Sequence, residues 1–82
     1  MSDDAAILAR LRDVLARFFN NPGLTVDAAT TARDVRGWDS LANVELMVEI
    51  EEAFGIRFRT GEVAGLRNVG ELVAAIARRT GG

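Results

Sequence analysis

Apolar residues recur at helical spacing in three separate stretches of the chain. In the first stretch, between residues 3 and 20, they follow one another at steps of four, three and four: Ile7, Leu11, Val14 and Phe18. Side chains three or four positions apart share one face of a helix, so this spacing predicts an amphipathic helix. The run of turn residues from Asn20 to Gly23 ends it.

The other two stretches predict two further helices. One begins at Ser40 and ends before Gly55, since glycine readily adopts the left-handed conformation found at helix ends. Its inward face consists of Leu46, Met47, Ile50, Ala53 and Phe54. The last helix runs from Val69 to Arg79, and Asn68 and Glu71 are spaced as a capping box at its start.

The segments between the helices differ in length. From Leu24 to Trp38 the helical spacing disappears, but isolated apolar residues remain that can hold the segment on the core. Residues Ile56 to Arg59 alternate between apolar residues and arginines, as in a short extended segment, and Glu62 to Leu66 allows one short helix. The predicted fold is all-α, a small four-helix bundle of three longer helices and one short helix, with a long ordered loop between helices 1 and 2.

The composition fits a single domain over residues 1–82. Hydrophobic residues make up 49% and charged residues 27%, a balance typical of globular proteins. No apolar run approaches the roughly 18 residues that span a bilayer, and the acidic Asp3-Asp4 differs from the basic start of a secretory signal. We expect a cytoplasmic protein without a membrane span.

Charge is distributed unevenly along the sequence. The formal net charge is −2, from 12 acidic and 10 basic residues, which argues against general nucleic-acid binding. Five acidic residues and no basic residue lie between Asp39 and Phe54, whereas five arginines and two glutamates lie between Arg57 and Arg79. The molecule is therefore predicted to have an acidic side and a basic side.

The sequence contains no histidine and no cysteine. This absence excludes Ser-His-Asp and Cys-His nucleophiles, zinc sites of the His/Cys type, and disulfides. A pair of carboxylates could still do acid–base chemistry, but it needs a sheltered cleft that a chain of 82 residues does not readily provide. We therefore expect a non-catalytic protein with no metal site.

Ser40 follows Asp39 at the start of the acidic helix, where a serine ordinarily serves only as a helix cap. The surrounding residues are more specific. Gly37-Trp38-Asp39-Ser40-Leu41, its continuation from Val44 to Ile56, and Gly70-Glu71-Leu72-Val73 in the last helix follow one another along the chain. In this order they resemble the phosphopantetheine attachment motif and the flanking helices of the acyl carrier protein family.

The resemblance implies a cofactor and a function. Ser40 would receive 4′-phosphopantetheine covalently from coenzyme A through a phosphopantetheinyl transferase, and Asp39 would position the magnesium ion used in that transfer. The arm would carry acyl groups as thioesters to acyl-transferring, ligating or condensing enzymes. The lack of cysteine agrees, because such a carrier takes its thiol from the cofactor.

The outward stripe of the acidic helix looks like a docking surface. Apolar and acidic residues alternate along it at steps of four, three and four. The residues predicted to bind partners are Leu41, Glu45, Val48, Glu51 and Glu52. In the resembling family this helix meets basic patches on partner enzymes; from the residues alone, a solvated acidic face is an equally good interpretation.

The inward face of the same helix suggests a pocket for the cargo. The residues predicted to line it are Met47, Ile50, Phe54, Ile56, Val63, Leu66 and Ile76. Ordinary core packing accounts for most of these side chains, and our hypothesis is that the core also parts to shelter an aliphatic chain. Trp38 is interpreted as an anchor for the loop, with a direct hold on the arm as the alternative.

Two features depart from the family pattern. Ala42 replaces the acid that usually follows the motif serine and leucine, and residues 57–61 are basic. They favour a specialised carrier in a fatty-acid, lipid or polyketide pathway, which we expect to be a monomer because partners must reach its acidic face. Two alternatives stay open: an aminoacyl or peptidyl carrier, and an unmodified helical interaction domain in which Ser40 is only a cap.

Overall fold

The computed structural model describes residues 4–59, 61 and 68–80. Three α-helices lie in these ranges: α1 (Asp4–Phe18), α2 (Ser40–Phe54) and α3 (Val69–Thr80). A 3-10 helix at Ala32–Asp34 lies between α1 and α2, and no β-strand occurs among the described residues. The all-α prediction with three longer helices is confirmed, whereas the short helix predicted at residues 62–66 lies outside the described residues.

The three helices bury one shared apolar core. α1 packs against both α2 and α3. The largest fully buried side chains are Leu11 and Leu15 of α1, Leu46 and Ile50 of α2, and Val69, Leu72 and Ile76 of α3. Full burial of one such side chain contributes about 2 kcal/mol relative to exposure, so the spacing of apolar residues both forms the helices and directs their packing.

Residues in the left-handed conformation end α1 and α2. Asn20 has φ 52°, and its N–H donates to Arg17 O (3.2 Å) while the N–H of Asn21 donates to Ala16 O (2.8 Å). This pair of bonds is the Schellman arrangement, in which asparagine here takes the place that glycine usually holds. Gly55 ends α2 at φ 66° and ψ 37°, as the sequence predicted.

The loop between α1 and α2 is tied to the start of α3. The N–H of Val69 donates to Thr30 O (2.8 Å), and the N–H of Gly70 donates to Ala28 O (2.9 Å). The first N–H groups of a helix have no partner inside that helix, so the loop carbonyls satisfy them. A third N–H of this turn, that of Glu71, donates to the cap residue Asn68 at Oδ1 (2.9 Å).

Apolar side chains hold the same loop on the core. Val35 is buried, and Leu24, Val26 and Trp38 are half-buried against the core residues. The 3-10 helix inside the loop has no signal in the spacing of apolar residues, because a single short turn presents too few side chains to form a stripe. The long ordered loop predicted from the sequence is thus built into the fold.

Gly70 is where the loop comes closest to α3. A Cβ at this position would lie 3.0 Å from Ala28 O and 3.1 Å from Ala28 Cβ. We therefore expect Gly70→Ala to lower the free energy of unfolding by about 1–2 kcal/mol through crowding, although alanine favours a helix by about 1 kcal/mol over glycine. Urea denaturation followed by circular dichroism measures the change.

The matched control is Gly23→Ala. A Cβ there would meet only Asn21 Oδ1, at 3.8 Å, so we expect unchanged or slightly higher stability because alanine restricts the unfolded chain. A Gly70→Ala variant as stable as the wild type would contradict the role given to the loop contact with α3.

Candidate functional site

Ser40 is the first residue of α2, and its side chain is exposed. The helix is capped by the preceding residue: Asp39 is extended (φ −106°, ψ −172°), and its Oδ1 accepts the N–H of Ala42 at 2.8 Å. Asp39, and not Ser40, therefore caps the helix. The hydroxyl of Ser40 has no hydrogen-bond partner among the described residues and is open to a reagent from solvent.

The backbone at this helix start fits a phosphate. The N–H groups of Ser40 and Leu41 form no hydrogen bond within the described part of the chain. Free N–H groups and the helix dipole both favour a negative charge at a helix N-terminus. A phosphodiester on Ser40 Oγ would lie beside these donors, so the residues present suit a phosphate-linked cofactor.

Trp38 fixes the end of the loop immediately before the serine. Its half-buried ring lies 5.8 Å from the ring of Phe19, at an interplanar angle of 39°. Its indole Nε1–H donates to Oδ1 of Asn43, at 2.9 Å. Both contacts support the interpretation of Trp38 as an anchor. Sequence reasoning did not single out Asn43, whose only signal was an amide within reach of the tryptophan.

A tight turn brings Trp38 to this position. The N–H of Trp38 donates to Val35 O (3.2 Å), and Gly37 has φ 91°. This geometry is that of a type II turn, whose third residue needs the positive φ that glycine adopts without strain. The buried Val35 holds one side of the turn on the core, and the other side leads directly into α2.

The outward face of α2 is apolar as well as acidic. Leu41 is 71% exposed, Val44 64% and Val48 50%, and Glu45 and Glu52 beside them are also exposed. The sequence stripe omitted Val44, although its spacing of three from Leu41 and four from Val48 already indicated the same face. The three exposed apolar side chains therefore form a row along one face of α2.

Comparison with known proteins agrees with this geometry. Residues 9–76 match the family model described as the phosphopantetheine attachment site. Acyl carrier protein 3 of Ralstonia nicotianae is 32% identical over 77 residues, covering 89% of this chain and 88% of that protein. The acyl carrier protein of Acidothermus cellulolyticus is 35% identical over 74 residues, covering 90% and 88%.

The chain belongs to the acyl carrier protein family. The fold agrees with the solution NMR structure of the holo acyl carrier protein from Geobacter metallireducens, with a TM-score of 0.80 and 30% identity over 88% of this chain and 83% of that one. As an acyl carrier protein, the chain carries acyl groups as thioesters on covalently attached 4′-phosphopantetheine and interacts with acyl-handling enzymes. The carrier function and the cofactor that the sequence implied are confirmed.

Glu51 differs from the other residues predicted to meet partners of the acyl carrier protein. It is half-buried, and its Oε2 accepts the N–H of Phe58 at 2.8 Å. Its backbone carbonyl accepts the N–H of Ile56 at 3.0 Å. Glu51 therefore holds the segment after α2 against the helix, and its contact with partners stays a prediction in which one carboxylate oxygen is already engaged.

The residues predicted to shelter the cargo lie in and around the core. Met47, Ile50 and Ile76 are buried, and Ile56 and Phe54 are half-buried against the core. The other two residues of this set, Val63 and Leu66, lie outside the described residues, so the pocket stays a prediction.

An arginine of α1 covers the end of α2 that carries Phe54. The guanidinium of Arg10 lies 5.0 Å from the centre of the Phe54 ring and donates to the carbonyl of Ala53. These contacts join α1 to the last turn of α2.

Among the described residues, no helix has the length and apolar character needed to cross a membrane.

Proposed function

We propose that Ser40 is the attachment point of the 4′-phosphopantetheine arm of this acyl carrier protein. The observation that supports it most directly is an exposed hydroxyl at the first residue of α2 that is not used as a cap. It lies within the matched residues 9–76, at a helix start that favours phosphate. The only other serine in the sequence is Ser2.

The chain supplies a nucleophile but not the base that activates it. With no histidine in the sequence, the proton of the Ser40 hydroxyl has to pass to a group of the phosphopantetheinyl transferase. In the transfer, the bond from Ser40 Oγ to a phosphorus of coenzyme A forms as the bond to the adenosine bisphosphate leaving group breaks. The cofactor then supplies the thiol that this cysteine-free chain lacks.

Incubation with coenzyme A, magnesium and a broad-specificity phosphopantetheinyl transferase tests the attachment. We expect intact mass to rise by one phosphopantetheine, roughly 340 Da from its chemical formula. Ser40→Ala should abolish the gain and Ser2→Ala should keep it, because only Ser40 lies at the proposed site. A wild type that gains no mass with several transferases, or a gain that persists in Ser40→Ala, would contradict Ser40 as the attachment point.

We further propose that Asp39 has two separate functions, capping α2 and positioning magnesium during the transfer. Its Oδ1 is engaged with the N–H of Ala42. The second carboxylate oxygen has no hydrogen-bond partner among the described residues and is available to a metal ion. Aspartate and asparagine are about equally good caps, so the two functions can be separated by substitution.

We expect Asp39→Asn to keep the stability of the wild type but to slow the transfer, since an amide is a poorer magnesium ligand than a carboxylate. Asp39→Ala should slow it too and also lower the free energy of unfolding by about 1 kcal/mol through loss of the cap. Urea denaturation and the initial rate of mass gain give the two readouts. If Asp39→Asn accepts the arm at the wild-type rate, Asp39 does not position magnesium and serves only as the cap.

The outward face of α2 is proposed as the surface that meets the transferase and the acyl-handling enzymes. Exposed apolar side chains lie beside carboxylates there: Leu41, Val44, Glu45, Val48 and Glu52. Carboxylates attract basic patches over a distance, which speeds encounter and weakens with salt. The apolar side chains can then be buried in the complex, and the combination suits a carrier that binds several enzymes briefly.

We expect the double variant Glu45→Gln, Glu52→Gln to lower kcat/KM for the transferase about tenfold at low salt, with the difference shrinking as salt rises. The control, Asp4→Asn with Asp13→Asn, removes the same charge from exposed positions on α1. Equal losses in both double variants would mean that only net charge matters. If neither double variant lowers kcat/KM, the outward face of α2 is only a solvated acidic face.

The remaining predictions from the sequence concern context. Ala42 and the exposed Arg57 and Arg59 after α2 favour partner enzymes different from those of other acyl carrier proteins. We therefore propose that the carrier serves a specialised pathway. The monomeric state and the cytoplasmic location stay predictions of the sequence.

A further inference from the structure

We propose that the hydrogen bond between Trp38 and Asn43 is a positioning device for Ser40, and that Asn43 is a positioning residue for the attachment reaction. This inference rests on the proposed attachment at Ser40. Neither side chain acts on the reacting atoms. Their effect is to fix the direction of the backbone that presents the hydroxyl.

The two residues bracket the serine. Trp38 lies two positions before it and Asn43 three positions after it, and the indole Nε1–H donates to the side-chain Oδ1 of Asn43 at 2.9 Å. The backbone N–H of Asn43 donates to Asp39 O, also at 2.9 Å. Asn43 therefore holds both residues that precede Ser40, one through its side chain and one through its backbone.

The tryptophan is in turn fixed to α1. Its ring lies 5.8 Å from that of Phe19, and Phe19 meets Phe18 edge-on at 4.9 Å and 82°. The N–H of Phe19 donates to Leu15 O at 2.9 Å, in the last turn of α1. These contacts hold the start of α2 against α1, in addition to the hydrogen bonds within its own first turn.

Ring packing alone would not select one orientation of the indole. Aromatic pairs accept several arrangements, from offset-stacked to edge-on, whereas an N–H to carbonyl hydrogen bond is steep in angle and distance. The bond to Asn43 therefore selects one rotation of the ring and one direction for the chain that enters α2. Small displacements of a nucleophile are costly, since a shift of about 1 Å can lower a rate by about a hundredfold.

Asn43→Leu and Asn43→Asp separate positioning from stability. Leucine has a similar size and a higher helix propensity than asparagine, so it removes the acceptor without weakening α2. Aspartate keeps an acceptor oxygen at the same place. Trp38→Phe removes the donor but keeps an aromatic ring against Phe19.

The experiment measures kcat and KM of the transferase for each full-length variant. We expect Asn43→Leu to lower kcat about tenfold with KM within about twofold, because the docking face of α2 is untouched. Asn43→Asp should restore kcat to within about twofold of the wild type. Trp38→Phe should match Asn43→Leu, and the double variant should be no slower than either, because both remove the same bond.

A destabilised control tests whether loss of stability explains the effect. Val14→Ala opens the core at a buried position of α1, away from the bond, and should keep kcat once the folded fraction is taken into account. Trp38 is the only tryptophan, and the chain has no tyrosine, so the fluorescence reports the surroundings of this one indole. The emission of Asn43→Asp should match that of the wild type, and the emission of Asn43→Leu should differ.

Three outcomes would overturn the proposal. Asn43→Leu could react at the wild-type kcat, Asn43→Asp could be as slow as Asn43→Leu, or the slowing could follow the unfolded fraction as in Val14→Ala. Failure of the proposed attachment has a different signature, since the wild type itself would then gain no mass.

Discussion

The loop between α1 and α2 depends on the unsatisfied N–H groups at the start of α3. Apart from the short 3-10 helix, this loop has no regular secondary structure to pair its backbone groups, and a backbone group buried without a partner is costly. The carbonyls of Thr30 and Ala28 meet the N–H groups of Val69 and Gly70, so two sets of orphan groups satisfy each other. This exchange keeps the loop close to the bundle and lets its far end arrive at a fixed place.

That far end leads into the proposed attachment site. The buried Val35, the left-handed Gly37 and the anchored Trp38 lead the chain into α2, and Asp39 completes the helix start by capping it. The arrangement immobilises the backbone around Ser40 while leaving its side chain exposed. This combination suits the proposed attachment at Ser40, in which a transferase would reach the hydroxyl and the arm would extend from a fixed point.

α2 has two faces with different physical tasks. Leu46 and Ile50 are fully buried and hold α2 in the core. On the opposite face, exposed valines and leucine lie among carboxylates, and this face is the one proposed to meet partner enzymes. Glu51 lies between the two, with its carboxylate committed to the chain after the helix.

The sequence by itself determined the helices, their inward faces and the acyl carrier family. Helical spacing follows from side-chain burial, which depends only on the order of residues, and the motif around Ser40 is contiguous. Tertiary structure decided that Asp39 and not Ser40 caps α2 and that Glu51 faces the segment after the helix. It also brought Trp38 to Asn43 and Gly70 to Ala28. Such pairings depend on backbone direction and on which N–H groups lack partners. The spacing of apolar and polar residues does not determine either.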